Sequence, residues 1–186
     1  MKRSLEQTRS VAYHEAGHAI AALVLHQRFA GVTIKTSKSS WGKLYGFRSN
    51  ACPMSSAIVY LSGPLAQSIM RHQKMLCCCG DYYLNCGGDV DFRQACVHID
   101  FVYYQISNIK YNGLPKTYTP CKRRLHQEIL LTSERLVNDN HDQIETLAEK
   151  LLKKETLWHT DIVQLLVKRK LFDSLISPQM PKLEHF

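Results

Sequence analysis

Val11-Ala12-Tyr13-His14-Glu15-Ala16-Gly17-His18-Ala19-Ile20 decides how this chain is read. Its centre is an H-E-x-x-H motif inside a segment that predicts a helix. Two histidines four positions apart on a helix share one face, one turn above the other. Both imidazoles can then reach one cation, and Glu15 sits beside it, placed to take a proton from an activated water. The reaction class implied is zinc-assisted hydrolysis of a peptide bond. Such a motif also arises by chance in helical sequence, so its surroundings matter. Val11, Ala12, Ala16 and the run from Ala19 to Leu25 are apolar and helix-compatible. Two histidines and a carboxylate buried among them would be costly without partners, and a shared metal satisfies all three. Ser4, with Gln7 three residues later, predicts a capping box that opens the helix, which is expected to run over residues 5–27. Gly17 lies in its interior, where glycine costs about 1 kcal/mol relative to alanine. The use expected of it is close approach of another backbone near the metal.

Outward from this helix, residues 31–36 alternate with β-branched side chains and residues 44–48 can return beside them as a strand pair. Residues 37–43 read as the connecting loop. A second helix is expected over 53–73, with Pro64 kinking or relaxing it. Residues 74–88, rich in Cys, Tyr and Gly, read as a loop. A third helix follows over 90–107, with Phe92, Ala95, Cys96, Ile99, Val102, Tyr103 and Ile106 at helical spacing. Asn112-Gly113 and the prolines at 115 and 120 mark a break. Three more helices are expected over 122–138, 142–153 and 160–170, the last capped by Thr160 or Asp161. Pro178 and Pro181 suggest a loose tail. The fold class predicted is mainly α, with a small β-sheet or hairpin next to the H-E-x-x-H helix.

Charge and cysteines bound the function. The 186 residues carry a net charge of +8, part of it in Lys122-Arg123-Arg124, Lys153-Lys154 and Lys168-Arg169-Lys170. These clusters read as solvated helix faces, because no nucleic-acid motif accompanies them; no nucleic acid is expected as a partner. Seven cysteines stand at 52, 77, 78, 79, 86, 96 and 121. Their odd number and the want of an apolar run after Lys2-Arg3 argue for reduced thiols and a cytoplasmic location. The triplet 77–79 with Cys86 does not show the paired C-x-x-C of structural zinc sites. The apolar run from Ala19 to Leu25 is far too short to span a bilayer, so no transmembrane segment is expected.

Two histidines do not complete a catalytic zinc site, which takes three protein ligands and keeps one position for water. Candidates for the third are Asp89, Asp91, His98, Asp100, His72 and Glu128. Asp91 is preferred. It opens an amphipathic helix after Gly87-Gly88, where a polar side chain can reach inward from a turn. Asp89 can instead serve as that helix's N-cap. His98 falls near the same face two turns on and reads rather as a core or surface histidine. Tyr13, about 100° around the helix from His14, reads as packing.

Several of these segments together resemble the FtsH-type zinc metallopeptidase family. Val11-Ala-Tyr-His-Glu-Ala-Gly-His-Ala19 is similar to its zinc helix, and Gly31-Val-Thr-Ile-Lys35 with Gly42-Lys-Leu-Tyr-Gly46 to its strand and return. Leu61-Ser-Gly-Pro-Leu-Ala66 resembles a helix that goes on to an acidic residue. Gly88-Asp-Val-Asp91-Phe-Arg-Gln-Ala95 resembles the segment bearing the third zinc ligand, and Ala148-Glu-Lys-Leu-Leu-Lys-Lys-Glu-Thr-Leu157 the family's C-terminal stretch. The likeness covers about residues 5–168 in the family's order. It implies an FtsH-like peptidase domain over 1–175 followed by a tail over 176–186. It also implies a zinc ion (Zn2+) held by His14, His18 and Asp91, with Glu15 as general base and a polypeptide as substrate.

The sequence departs from the family pattern in three ways. The chain opens almost at the zinc helix and contains no G-x-x-x-x-G-K-[ST] phosphate loop, so no ATPase module of its own is expected. A separate ATPase partner and the oligomeric state stay open. Gln67 stands where the family has its acidic residue, which puts the support of the zinc ligands in question. The cysteine-bearing stretch 71–88 is also unlike the family. The expected function is a zinc-dependent endopeptidase acting on unfolded or flexible polypeptides, with substrate extended along the edge of the 31–47 sheet. The alternative is a metal-bearing binding or regulatory module without turnover; hydrolysis of another amide or ester, or use of iron, cobalt or manganese, is a third reading.

Overall fold

Ser4 and Gln7 close the expected capping box: the Gln7 amide donates to Ser4 Oγ at 3.1 Å and the Ser4 amide to Gln7 Oε1 at 2.9 Å. Helix α1, Leu5–Val24, starts there. The structure, a computed structural model, describes residues 3–37, 41–48, 52–71, 90–107 and 120–182. Helix α1 ends three residues earlier than the sequence suggests. His26 takes a left-handed φ of 53°, its amide donates to the Leu23 carbonyl, and the Gln27 amide donates to the Ala22 carbonyl at 2.8 Å. This is the reverse turn that usually carries glycine. With histidine in its place, the stop signal was not legible.

Strands β1, Gly31–Thr33, and β2, Lys43–Tyr45, form the expected antiparallel pair with Val32 opposite Leu44. Helices α2, Pro53–Met70, α3, Val90–Ser107, α4, Pro120–Asp139, and α5, His141–Lys154, follow close to their predicted bounds. A third strand was not foreseen. Glu155, at φ 58°, ends α5, and β3, Thr156–Trp158, pairs with β1 on the side away from β2. Three residues are too few to show a period, and these fall between the helices expected over 142–153 and 160–170; α6, His159–Lys168, follows directly. The cap of α6 also differs. Asp161 acts from inside the first turn, accepting from the Trp158 amide at 3.0 Å. The expected loop over 74–88, its cysteines and the break around 112–115 lie outside the described residues.

From Ser10 onward helix α1 is the buried axis of the fold. Apolar or small residues occupy nearly the whole circumference of that stretch, which is the pattern of a helix surrounded by other elements. Helices α2 and α5 and the sheet pack around it, and α3 and α4 pack on α2. On the sheet, Val32 and Leu157 turn into the core. No helix among the described residues is long and apolar enough to cross a membrane. The chain after α6 is irregular, as its prolines suggest, yet its first part is tied down. Asn140, fully buried, accepts from the Ile176 amide and donates to the Ile176 carbonyl, both at 2.9 Å. Leu171, Leu175 and Met180 pack on the core.

One basic cluster is not the solvated face the sequence suggests. Lys122 is buried, with Nζ 2.6 Å from Asp100 Oδ1, while Arg123 and Arg124 remain exposed. Buried charge is tolerated here because it is paired. His126, also buried, lies 3.8 Å from the same carboxylate. Burial holds the His126 pKa below its ordinary value, against the pull of Asp100, and burial lowers His98 likewise. The unfolded chain therefore takes up these protons first, and stability is lost as pH falls below about 6.5. Thermal midpoints of metal-free protein should fall between about pH 7 and pH 5, and His126→Gln should shrink that fall. An unchanged pH slope in the variant would remove His126 from the account.

Candidate metal centre

The two histidines of the motif are oriented by helix α2. His18 Nδ1 donates to the Val59 carbonyl at 2.7 Å. His14 Nδ1 lies 3.0 Å from Gln67 Oε1, and Gln67 Nε2 donates to Ser10 Oγ at 2.7 Å. With their Nδ1 sides so engaged, both rings turn Nε2 inward, and each offers a lone pair there when neutral. The two Nε2 atoms are 3.1 Å apart. Asp91, in the first turn of α3, brings Oδ2 to 2.9 Å from His14 Nε2 and 3.5 Å from His18 Nε2.

Three electron-rich atoms at such distances require positive charge among them. Ligand atoms about 2.0–2.1 Å from a tetrahedral zinc stand about 3.3 Å apart, and the three separations bracket that value. His14, His18 and Asp91 form the one group among the described residues that can hold a metal ion in this way. Without metal a proton must serve. Burial opposes charge on His18, but the Asp91 carboxylate and Glu15 outweigh it and raise the ring's pKa to about 9. Burial also opposes charge on Asp91, yet the two histidines hold its carboxyl well below the usual range. A cation entering the site displaces that proton.

Glu15 is 6 % exposed and lies under the start of β2. A Cβ on Gly42 would stand 2.3 Å from Glu15 Oε1, so a side chain there would have to displace the carboxylate. Burial raises the Glu15 pKa, and His18 and His14 draw it partly back.

Two more glycines let α1 and α2 meet. A Cβ on Gly17 would fall 2.4 Å from the Ser62 carbonyl oxygen, in keeping with the close approach expected of that residue. A Cβ on Gly63 would fall 2.4 Å from His18 Nε2. Gly63 precedes Pro64, and α2 runs through both. Proline has no N–H to donate, so it makes no helical bond to the Tyr60 carbonyl four residues back. The Val59 carbonyl that receives His18 is its neighbour in the chain.

Of the sequence candidates, the structure brings together His14, His18, Glu15 and Asp91. His98 stacks on Tyr60 with ring centroids 5.6 Å apart. Asp100 engages Lys122, and Glu128 stands on α4 outside the ligand group. His72 and Asp89 lie outside the described residues. Tyr13 packs as expected, its hydroxyl donating to Glu145 Oε1 at 3.1 Å. Sequence reasoning missed the supporting roles of Gly42, Gly63 and Val59. Only the Gly63-Pro64 pair inside a helix signalled something unusual. No protein-family model and no curated protein matches this chain.

Gly63→Ala should push the His18 ring off its position, and Gln67→Leu should release the Nδ1 side of His14. Each is expected to weaken zinc affinity about 10- to 100-fold while helical circular dichroism is retained. Competition against a fluorescent chelator measures this, and wild-type affinity in both variants would remove α2 from the support of the site.

Proposed function

We propose that this chain is a zinc-dependent endopeptidase that hydrolyses unfolded or flexible polypeptides. The observation that carries the reading is the convergence of His14, His18 and Asp91 with the buried carboxylate of Glu15 in the motif between the histidines. Two imidazoles and one carboxylate are a donor set of hydrolytic zinc sites, which keep a fourth position for water. The resemblance of the segments around these residues to the FtsH-type peptidases supports the same reading.

The residues divide the work as follows. A zinc ion held by the three ligands supplies Lewis acidity to a water and to the scissile carbonyl. Glu15 accepts the proton of the attacking water as its oxygen bonds to the carbonyl carbon. When the C–N bond breaks, Glu15 returns that proton to the leaving amine. Burial raises its pKa, which makes it a stronger proton acceptor than an exposed carboxylate. Gln67 and the Val59 carbonyl keep the rings in the tautomer that ligates. Strand β2 lies on the outside of the sheet, with β1 on its inner side. An extended substrate can pair with its free backbone groups and so run past Glu15. A folded protein seldom offers such a segment, which is why peptides, denatured proteins and flexible loops are the substrates expected.

Degradation of casein, with and without chelator, tests the reading. The zinc-loaded chain should cleave it, chelation should stop cleavage, and Glu15→Gln should keep zinc while losing about 10²- to 10⁴-fold in rate. Undiminished hydrolysis by Glu15→Gln would take the base away from Glu15. Full zinc loading with no cleavage of any polypeptide would favour a metal-bearing binding module.

A further inference from the structure

We infer that Arg3 is a positioning residue for this site: its guanidinium clasps both limbs of the β1–β2 connection and thereby holds the Gly42 rim against Glu15. The part of this inference that concerns substrate rests on the peptidase reading above.

The clasp is made of named bonds. Arg3 Nη1 donates to the Trp41 carbonyl at 2.9 Å. Arg3 Nη2 donates to the Ile34 carbonyl and to Thr36 Oγ1. Residues 34 and 36 leave β1, and residue 41 leads into β2, so one side chain ties the outgoing limb to the returning one. The outgoing limb is already anchored, since the Ile34 amide and Thr33 Oγ1 both donate to the Glu155 carbonyl, at 2.8 and 3.0 Å. Arg3 extends that anchorage to residue 41.

The bond to Trp41 matters because of peptide planarity. The Trp41 carbonyl oxygen and the Gly42 Cα belong to one rigid plane. Fixing the oxygen restricts where that Cα can be, and this is the atom whose missing side chain makes room for the Glu15 carboxylate. The base of the clasp is registered to the same helix. Arg3 directly precedes Ser4, the N-cap of α1, whose capping box sets the helix start. Rim and general base are thus referred to one element. A guanidinium suits this work: it is always charged and offers five N–H donors in a planar fork. A lysine ammonium has a single nitrogen and cannot span the two limbs in the same way.

Exposure of Trp41 fits a rim. Trp41 is 55 % exposed while the next residue lies against a buried carboxylate. The Trp41 carbonyl is the group that Arg3 holds.

The test pairs amide hydrogen exchange with steady-state kinetics on an internally quenched casein-derived peptide, using zinc-loaded wild type, Arg3→Ala and Arg3→Lys. Arg3→Ala should speed exchange at residues 42–45 and raise KM more than it lowers kcat. The loss in kcat/KM should be about tenfold or more, with zinc content unchanged, because the ligands stand on α1 and α3 and are oriented by α2. Arg3→Lys should recover only part. If Arg3→Ala fails to fold, Thr36→Val, which removes one acceptor of the clasp, should give the same signs in smaller measure. Unchanged exchange at 42–45 overturns the clasp. Faster exchange with wild-type KM and kcat overturns its role in handling substrate. If the zinc-loaded wild type cleaves no peptide, the peptidase reading falls on that result, and exchange alone decides the clasp.

Discussion

Two imidazole lone pairs and a carboxylate oxygen aimed at one point set the terms for the rest of this molecule. Such groups repel unless a cation or a proton lies between them. They stay aimed because the opposite nitrogen of each ring is engaged, His18 by the Val59 carbonyl and His14 by Gln67. Both partners belong to α2. The centre therefore exists only if α1 and α2 lie close enough for a main-chain carbonyl to meet a ring. Gly17 supplies that proximity against Ser62, and Gly63 supplies the space into which His18 fits. A helix with glycine in its middle is weaker by about 1 kcal/mol at each such position, and packing of the buried stretches of α1 and α2 against each other offsets this.

Gln67 orients a ligand with a neutral group. Its amide oxygen accepts the His14 proton, a task a carboxylate could also perform, and its amide nitrogen is satisfied by Ser10. The neutral group exerts a smaller pull on the ring, so the ligand is oriented without the charge of an acid beside it. Asp91 is then the main source of negative charge at the histidines, together with Glu15.

The small sheet contributes through position rather than size. Its strands have three residues each, and a hairpin alone would be marginal. Pairing of β3 on the other side of β1 and packing on α1 give it support. The result is an outer strand carried past Glu15, with Gly42 as the point of contact. The buried group of Asp100, Lys122 and His126 sits elsewhere, between α3 and α4, and bears on stability rather than on the metal centre.

Much of this was legible in residue order. Spacing of His14 and His18 determined that both face one way, because a helix returns to the same face every four residues. Apolar periodicity determined most of the helices, and the Ser4–Gln7 pair determined where the first begins. The sequence could not rank the aspartates by distance, since Asp91 stands 77 positions from His14 and only packing of α3 on α2 brings it near. It could not show that Lys122 is buried, that β3 exists, or that His26 ends α1, because each depends on a partner remote in sequence or on a backbone angle with no compositional mark. Local chemistry decides which groups can bind and which way they point. Only tertiary packing decides which of them meet, because a meeting point is set by how whole helices approach one another.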